Sequence, residues 1–440
     1  MPNKSDETVQ LKNQLNSLKD KKGLISRTIG EKKRASQDAE VELASMREIS
    51  LKITSLNHQL KALRKKDESR DEPAIIPPFP GHFCDSSEPP HNSYSIDTLR
   101  IREANASDSI AWDQYAETHA RGGLYHRYAF KPIIEMSFKH KAHYLICVNP
   151  TGKIVGLMPL VHTKSKLFGN YLTSIPYFNY SGPISDHPSI DTLLIAHAQK
   201  AMCAQSASHI EIRDTQPRED LPVKLDKSSL VLALPDKKET LWAAIGTKVR
   251  AQIKKGLSNE FEFRTGGESL LDDFYHVYSI NMRSLGTPVY GKSFFRNIIR
   301  HSDVKPTIAI LYHQGHAVSC GFLMGYKCTL EIPWASTLRQ ANSLNANMVL
   351  YWNILSYAIA NGYQFFDFGR SSSDAGTYRF KLQWGAKPTQ LYWHYCLQAN
   401  EALPQLNPNN PKYRLAINVW KKLPLSITTT LGPMLAKNLP

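Results

Sequence analysis

The 440-residue chain has no apolar run long enough to span a bilayer, and its polar N-terminus lacks the apolar segment of a signal peptide. The expectation is a cytoplasmic protein, with peripheral attachment at the inner membrane left open. Cysteine is sparse: Cys84, Cys147, Cys203, Cys320, Cys328 and Cys396 show no CxxC and no Cys/His ligand spacing. That argues against a zinc site or a disulfide framework, and most of these thiols sit among apolar residues, as Cys147 does in Leu-Ile-Cys-Val. A P-loop, a GxGxxG after a strand, an HExxH and a GxSxG elbow are also missing, so nucleotide hydrolysis, dehydrogenation and zinc catalysis lack their usual signatures. His140 and His143 are spaced like ligands, but no acidic residues gather beside them; they are expected to be surface histidines, and no metal is expected.

Positive charge is what the chain has in excess. Its 54 Lys and Arg against 39 Asp and Glu give a net charge of +15. Such a balance suits phosphorylated substrates, RNA or an acidic membrane surface, and does not choose among them. Hydrophobic residues at 42% and charged residues at 21% are ordinary globular usage, and the length implies two or three domains.

Residues 9–63 contain neither proline nor aromatic residues, and Leu11, Leu15, Leu18, Ile25 and Ile29 begin a helical rhythm. Leu43, Met46, Ile53, Leu56, Leu60 and Leu63 resume it, which predicts a helical coiled-coil arm over 1–70 for homo-oligomerisation or partner docking. Prolines 73, 77, 78, 80, 89 and 90 mark a linker over 71–93. Two lobes follow, 94–235 and 236–400, and each carries the same order of elements. Apolar strands at 143–148 and 154–161 flank the turn Asn149–Gly152, and strands at 307–311 and 317–324 flank His313–Gly315. Helices at 189–205 and 346–361 come next, then strands ending in charge at 209–213 and 364–370. Hairpin, strand, helix and strand, twice in one order, predict two copies of one α/β domain. That order resembles the GNAT acyltransferase fold, whose strands splay to admit a thioester or its equivalent.

The densest chemistry lies between Tyr363 and Lys387. Asp367 and Arg370 fall near the end of an expected buried strand, where open α/β sheets place ligand sites. Arg370 to Thr377, including Ser371, is expected to be a polar anion-binding loop. Tyr378, Phe380, Lys381 and Trp384 alternate cation with aromatic, a pattern that stacks a base or sugar beside a neutralised phosphate, although Phe380 and Trp384 would serve equally as core. A basic helix carrying Lys248, Arg250 and Lys254 reads as a phosphate or RNA-backbone track, or as a solvated face. Arg283 sits at a helix end before Gly286 and Pro288, to reach an anion or pin the loop, and Tyr180 lies in an aromatic turn that lines a sugar site or packs the lobe. The tail 401–440 joins Trp420, Leu423, Leu425, Ile427 and Leu431 to Lys412, Arg414, Lys421 and Lys422; it either lies on an anionic membrane or packs back on the second lobe.

From about Ser107 to Leu439 the chain resembles the FemAB family of peptidyl and aminoacyl transferases, and within it the proteins associated with exosortase/PEP-CTERM exopolysaccharide systems. The resemblance rests on Lys164–Gly169, Ser174–Tyr177, Tyr180–Pro183 and Arg283–Pro288, then on Phe366–Ser371, Tyr378–Gly385 and Asn407–Arg414. It implies twin GNAT-like domains that transfer an activated acyl or aminoacyl group to an amine of an anionic envelope or polysaccharide precursor. No tightly bound cofactor is implied. The donor is aminoacyl-tRNA in the peptidoglycan-acting members, and Phe380 and Lys381 match the pair that binds it. Where acetyltransferases place a glycine-rich pyrophosphate cradle, this chain has Asn342-Ser343-Leu344-Asn345-Ala346-Asn347, which weighs against acyl-CoA. Helix N-terminal N–H groups there could still accept a phosphate, so the donor stays open between aminoacyl-tRNA and acyl-CoA. Catalysis is expected to rest on Lys381 and Asp367, with Arg370, Tyr378 and Trp384 shaping the pocket. The rival readings are an acetyl-CoA-dependent N-acetyltransferase of an amino sugar and a non-catalytic scaffold of the exopolysaccharide machinery.

Overall fold

The computed structural model describes residues 95–165, 168–373, 375–398, 401–404 and 411–438, with scattered residues between 14 and 52. The chain divides into two compact units, 1–77 and 78–440, taken here separately. In the first, the described residues from Gln14 to Lys52 are helical apart from Asp38 and Ala39. Lys32 Nζ meets Glu42 Oε1 there at 2.6 Å. The expected seam residues Leu11, Leu15, Leu43, Met46, Ile53, Leu56, Leu60 and Leu63, and the whole of the expected linker 71–93, lie outside the described residues.

The second unit is an α/β body. Its first part runs β1 (Arg100–Glu103), α1 (Ser109–Thr118), α2 (Phe130–Phe138), β2 (Lys141–Ala142), β3 (Leu145–Val148), β4 (Ile154–Met158), β5 (Val161–Ser165), β6 (Gly169–Thr173), β7 (Ile184–Ser185), α3 (Pro188–Ala204), β8 (His209–Asp214) and β9 (Val223–Lys224). The second part runs β10 (Lys227–Ala233), α4 (Lys238–Ala244), α5 (Thr247–Leu257), β11 (Glu262–Gly266), α6 (Leu271–Leu285), α7 (Lys292–His301), β12 (Thr307–His313), β13 (His316–Tyr326), β14 (Thr329–Thr337), α8 (Ala346–Ala360), β15 (Phe365–Ser372), α9 (Gly376–Leu382), β16 (Lys387–Gln390) and β17 (Tyr392–Leu397). Two tail helices close the chain, α10 (Pro411–Lys422) and α11 (Leu425–Ala436).

Among the described residues the strands form three sheets, in the orders β1-β3-β4-β7, β2-β5-β6-β8-β17-β9 and β11-β12-β13-β14-β15-β10-β16. The expected strand 154–161 is broken at Pro159, which has no N–H to give a ladder, so β4 and β5 enter different sheets. The expected boundary at 235/236 does not follow the sheets. β10 crosses into the second-lobe sheet, and β17 returns to pair with β8 of the first, Tyr392 opposite Asp214. Each lobe therefore contributes a strand to the other's sheet, and a boundary drawn from local pattern cannot register that exchange.

One hydrophobic core spans both lobes. Phe138 stacks on Tyr177 at 4.0 Å between ring centroids, Phe178 meets Phe294 at 5.8 Å, and Phe295 meets Trp334 edge-on at 5.1 Å. These rings, drawn from 138–178 and 290–334, hold the lobes against each other and fix the geometry of what lies between them. The tail packs back on α6: Arg283 donates to the Leu423 carbonyl at 3.4 Å, and a Cβ at Gly286 would fall 2.5 Å from Ile417. His140 and His143 are buried, a correction to their expected exposure. The ring of His140 reaches the Lys437 carbonyl at 2.7 Å, and that of His143 lies on the Glu103 carboxylate.

Candidate active site

Two sequence features open the second-lobe sheet. β14 and β15 run parallel and pair only over Thr329–Glu331 with Phe365–Asp367. Beyond Glu331, Pro333 removes a donor from β14. On β15, the ladder with β10 slips between Ser229 opposite Arg370 and Val231 opposite Asp367, a bulge at Phe368-Gly369. Gly369 takes φ +74°, a conformation that favours glycine. The strands part immediately after the cross-strand pair Glu331–Asp367, so two carboxyl groups sit at the throat of the splay.

Asn179 and Tyr180 of the first lobe enter that throat. Glu331 Oε1 accepts from Tyr125 Oη at 2.6 Å and from Asn179 Nδ2. Asp367 accepts from Ser229 Oγ at 2.6 Å, from the Gly369 N–H at 2.7 Å and from Tyr180 Oη at 3.4 Å. The bulge aims the Gly369 carbonyl toward α9, where Lys381 Nζ donates to it at 2.8 Å and to the Arg370 carbonyl at 3.1 Å. Those two bonds use two of the ammonium's three donors.

The electrostatics follow from burial. Burial, then the neighbouring Asp367, raises the Glu331 carboxyl well above its usual range and so favours its neutral form. Burial also raises Asp367, against the opposing pull of Ser229 and the Gly369 N–H. Lys381 is brought down to about 8 by burial, in opposition to Asp367 and Glu331.

A second group of charges adjoins the first. Arg213 and Arg370 both donate to the Phe178 carbonyl, at 3.1 and 3.2 Å, and both guanidiniums lie over the Trp393 ring, at 4.5 and 5.1 Å. Glu211 answers Arg213 at 2.7 Å and accepts from Tyr395 Oη at 2.7 Å. Burial opposes its ionisation, but Arg213 and Tyr395 outweigh that and hold its carboxyl below the usual value. Burial, and then Arg213, lower Arg370 to about 10. Three cations (Arg213, Arg370 and Lys381) thus face the carboxyl groups of Glu211, Asp367 and Glu331, and burial disfavours the charged form of Glu331. Arg370 is half-buried, so its remaining donors are open to an anion.

The residues expected from sequence divide cleanly. Asp367, Arg370, Lys381 and Tyr180 come together. Ser371 does not lie in a loop: β15 continues through Ser372 because β10 zips along it, Ser228 opposite Ser371, and Ser371 Oγ reaches Thr377 at 3.3 Å. Phe380 packs edge-on against Tyr351 at 5.0 Å, Trp384 is buried in the same core, and Tyr378 is packed partly against it. These three shape the wall behind Lys381. Arg250 caps α4 through the Trp242, Ala243 and Ile245 carbonyls, at 3.2, 3.0 and 2.8 Å, which corrects the expected phosphate track at that position. Lys248 and Lys254 lie on the exposed face of α5, and Arg283 holds the tail. Glu331, Tyr125, Ser229 and Arg213 were not singled out. Glu331 sits in the apolar run Thr-Leu-Glu-Ile-Pro, and a lone acid in a buried strand is the one signal that marked it.

The segment before α8 bears on the donor. The N–H groups of Ala341, Asn342, Leu344 and Asn345 are taken by the Leu338, Arg339, Ala341 and Asn342 carbonyls in successive turns. Asn259 Nδ2 also caps the Leu344 carbonyl at 3.3 Å.

Mixed sheets whose neighbouring parallel strands splay apart are those of a GNAT-type acyltransferase fold. Residues 246–382 match the acetyltransferase (GNAT) domain family, so the chain carries an acyltransferase domain. Among solved structures it is similar to FemX: 14% identity, TM-score 0.51, covering 72% of this chain and 100% of that one. Lower similarity extends to the C-terminal domain of a putative lysylphosphatidylglycerol synthetase from Agrobacterium fabrum, at 13% identity and TM-score 0.46, over 68% of this chain and 94% of that one. A tandem GNAT protein from the clavulanic acid biosynthesis pathway gives 11% identity and TM-score 0.46, over 69% of this chain and 100% of that one. No curated protein matches the chain.

Proposed function

We propose that this acyltransferase moves an activated acyl or aminoacyl group onto an amine of an anionic cell-envelope or exopolysaccharide precursor, with the splay between β14 and β15 as its reaction centre. The observation that carries the proposal is the Glu331–Asp367–Lys381 cluster at the throat, beside the guanidinium pair Arg213 and Arg370 over Trp393. The FemAB resemblance supports an aminoacyl donor, and the lack of a glycine-rich stretch before α8 weighs against acyl-CoA.

Acyl transfer to an amine forms a C–N bond, breaks the bond from the acyl carbon to its carrier, and releases one proton. No covalent enzyme intermediate is required; positioning and electrostatics suffice. Lys381 would offset the charge that develops on the carbonyl oxygen. Arg370, set by Trp393 and the Phe178 carbonyl, would hold the phosphate or carboxylate of the precursor. Asp367 balances Lys381 and orients Tyr180, so its part in deprotonating the amine is secondary to its part in holding the site.

Thermal shift of the full-length chain with acetyl-CoA, charged tRNA and UDP-linked amino sugars tests this reading. A shift with charged tRNA or an amino-sugar nucleotide, lost in Arg370→Gln, is expected. Stabilisation by acetyl-CoA alone would reverse the donor assignment, and silence from every ligand would favour the scaffold reading.

A further inference from the structure

The tail helices are fixed on one face and bare on the other. Thr428, Gly432 and Ala436 of α11 and Trp420 of α10 are buried. A Cβ at Gly432 would fall 2.8 Å from Val289, and the Lys437 carbonyl is held by Tyr177 Oη at 2.7 Å. The outer face carries Ile427, Leu431 and Met434 at i, i+4 and i+7, exposed by 40%, 44% and 62%. On α10, Leu415 and Val419 stand one turn apart, exposed by 67% and 52%. Five of the fourteen exposed large hydrophobic residues among the described residues thus fall in this one segment. Among the described residues that face stays exposed.

Charge selects the occupant. From 402 to 440 the sequence contains Lys412, Arg414, Lys421, Lys422 and Lys437 and not one Asp or Glu. Lys421 and Lys422 are exposed at the turn between the two helices. A second copy docked on the same face would bring two segments of like charge together, which repulsion opposes. Protein interface cores favour aromatic, methionine and arginine anchors and are depleted in lysine, whereas four of the five exposed apolar residues here are Leu, Ile or Val. Exposed aliphatic side chains flanked by lysines suit the boundary between headgroups and acyl chains of an anionic bilayer. We infer that the outer face of α10 and α11 docks the protein on an anionic phospholipid surface. The inference is independent of the proposed chemistry. Because the tail is pinned to α6 and to the first lobe through Tyr177, docking would also hold the acyltransferase body at a set orientation to that surface.

Vesicle flotation of the full-length protein tests it, with phosphatidylcholine vesicles set against vesicles containing about one-third phosphatidylglycerol, a composition that gives a strongly negative surface. Flotation with the phosphatidylglycerol vesicles alone is expected, and 0.5 M salt, which cuts the screening length to well under about 8 Å, should weaken it. The variants are Lys421→Glu/Lys422→Glu and Leu431→Ser/Met434→Ser, all at exposed positions. Each pair should lower partitioning at least about tenfold, given the usual worth of each lysine and each buried apolar side chain at such a surface. The charge pair keeps the test decisive should the serine pair lower the melting temperature. Equal flotation on both vesicle types, none on either, or unchanged flotation of both variants would overturn the inference. So would a concentration-dependent dimer abolished by Leu431→Ser/Met434→Ser, which would make the occupant a second copy.

Discussion

Glu331 and Asp367 face each other across two parallel strands with Tyr125, Asn179, Ser229 and Tyr180 as their donors. Because burial and Asp367 raise Glu331, the folded chain keeps its proton at pH values where the unfolded chain has lost it. The folded state then binds more protons, and stability falls as pH rises from about 4.5. Glu331→Gln keeps the acceptor and has nothing to titrate. Its melting temperature should match the wild type near pH 4 and exceed it by a few degrees at pH 8 in a scanning fluorimetry series. Lys381 gives the opposite slope. Its value falls from 10.5 to about 8 on folding, so between these limits the unfolded chain holds the extra proton and stability rises with pH. Lys381→Met should flatten that rise. Wild-type turnover should decline above about pH 8 as the ammonium is lost. Lys381→Met should cost about 100-fold or more in turnover, as loss of one charge-stabilising donor does. The role of Glu331 was not legible beyond its being a lone acid in an apolar strand, since its partners are set by strand register and by a loop from the other lobe. Lys381 was legible because a cation amid aromatics, Tyr378-Arg379-Phe380-Lys381, stands out in any register.

At the scale of elements, the bulge at Phe368-Gly369 and the proline in β14 create the splay. A side chain at Gly369 must take φ +74° and would bring its Cβ 3.3 Å from Asn179 Nδ2. Gly369→Ala should therefore cost about 1–2 kcal/mol from the left-handed backbone alone, read as a lower urea midpoint. The hairpins and helices were legible because apolar alternation and turn residues repeat in both lobes. The exchange of β10 and β17 was not, because short strands such as Lys227–Ala233 carry no mark of the sheet they join. Arg250 illustrates the same limit: a basic helix face looks like a phosphate track until its guanidinium is found closing the end of the preceding helix.

For the whole molecule, the lobes act as one body because their aromatic residues form a common core and each lends the other a strand. Phe294, fully buried between Phe138, Phe178 and Trp334, should cost about 3–5 kcal/mol when cut to alanine. The loss should appear in a single transition followed by both near-ultraviolet and far-ultraviolet circular dichroism. Independent melting of one lobe would contradict the shared core. The twofold order of elements was visible in the sequence, whereas the charged junction between the copies, where Arg213 and Arg370 share Trp393, arises only on folding. The central claim is that this site transfers acyl groups through Lys381 and Arg370. The most direct measurement is single-turnover transfer of a radiolabelled group from charged tRNA, and separately from acetyl-CoA, to UDP-linked amino sugars by the full-length protein. Transfer that Lys381→Met and Arg370→Gln abolish, with both variants folded, is the predicted result; transfer undiminished in those variants would contradict it.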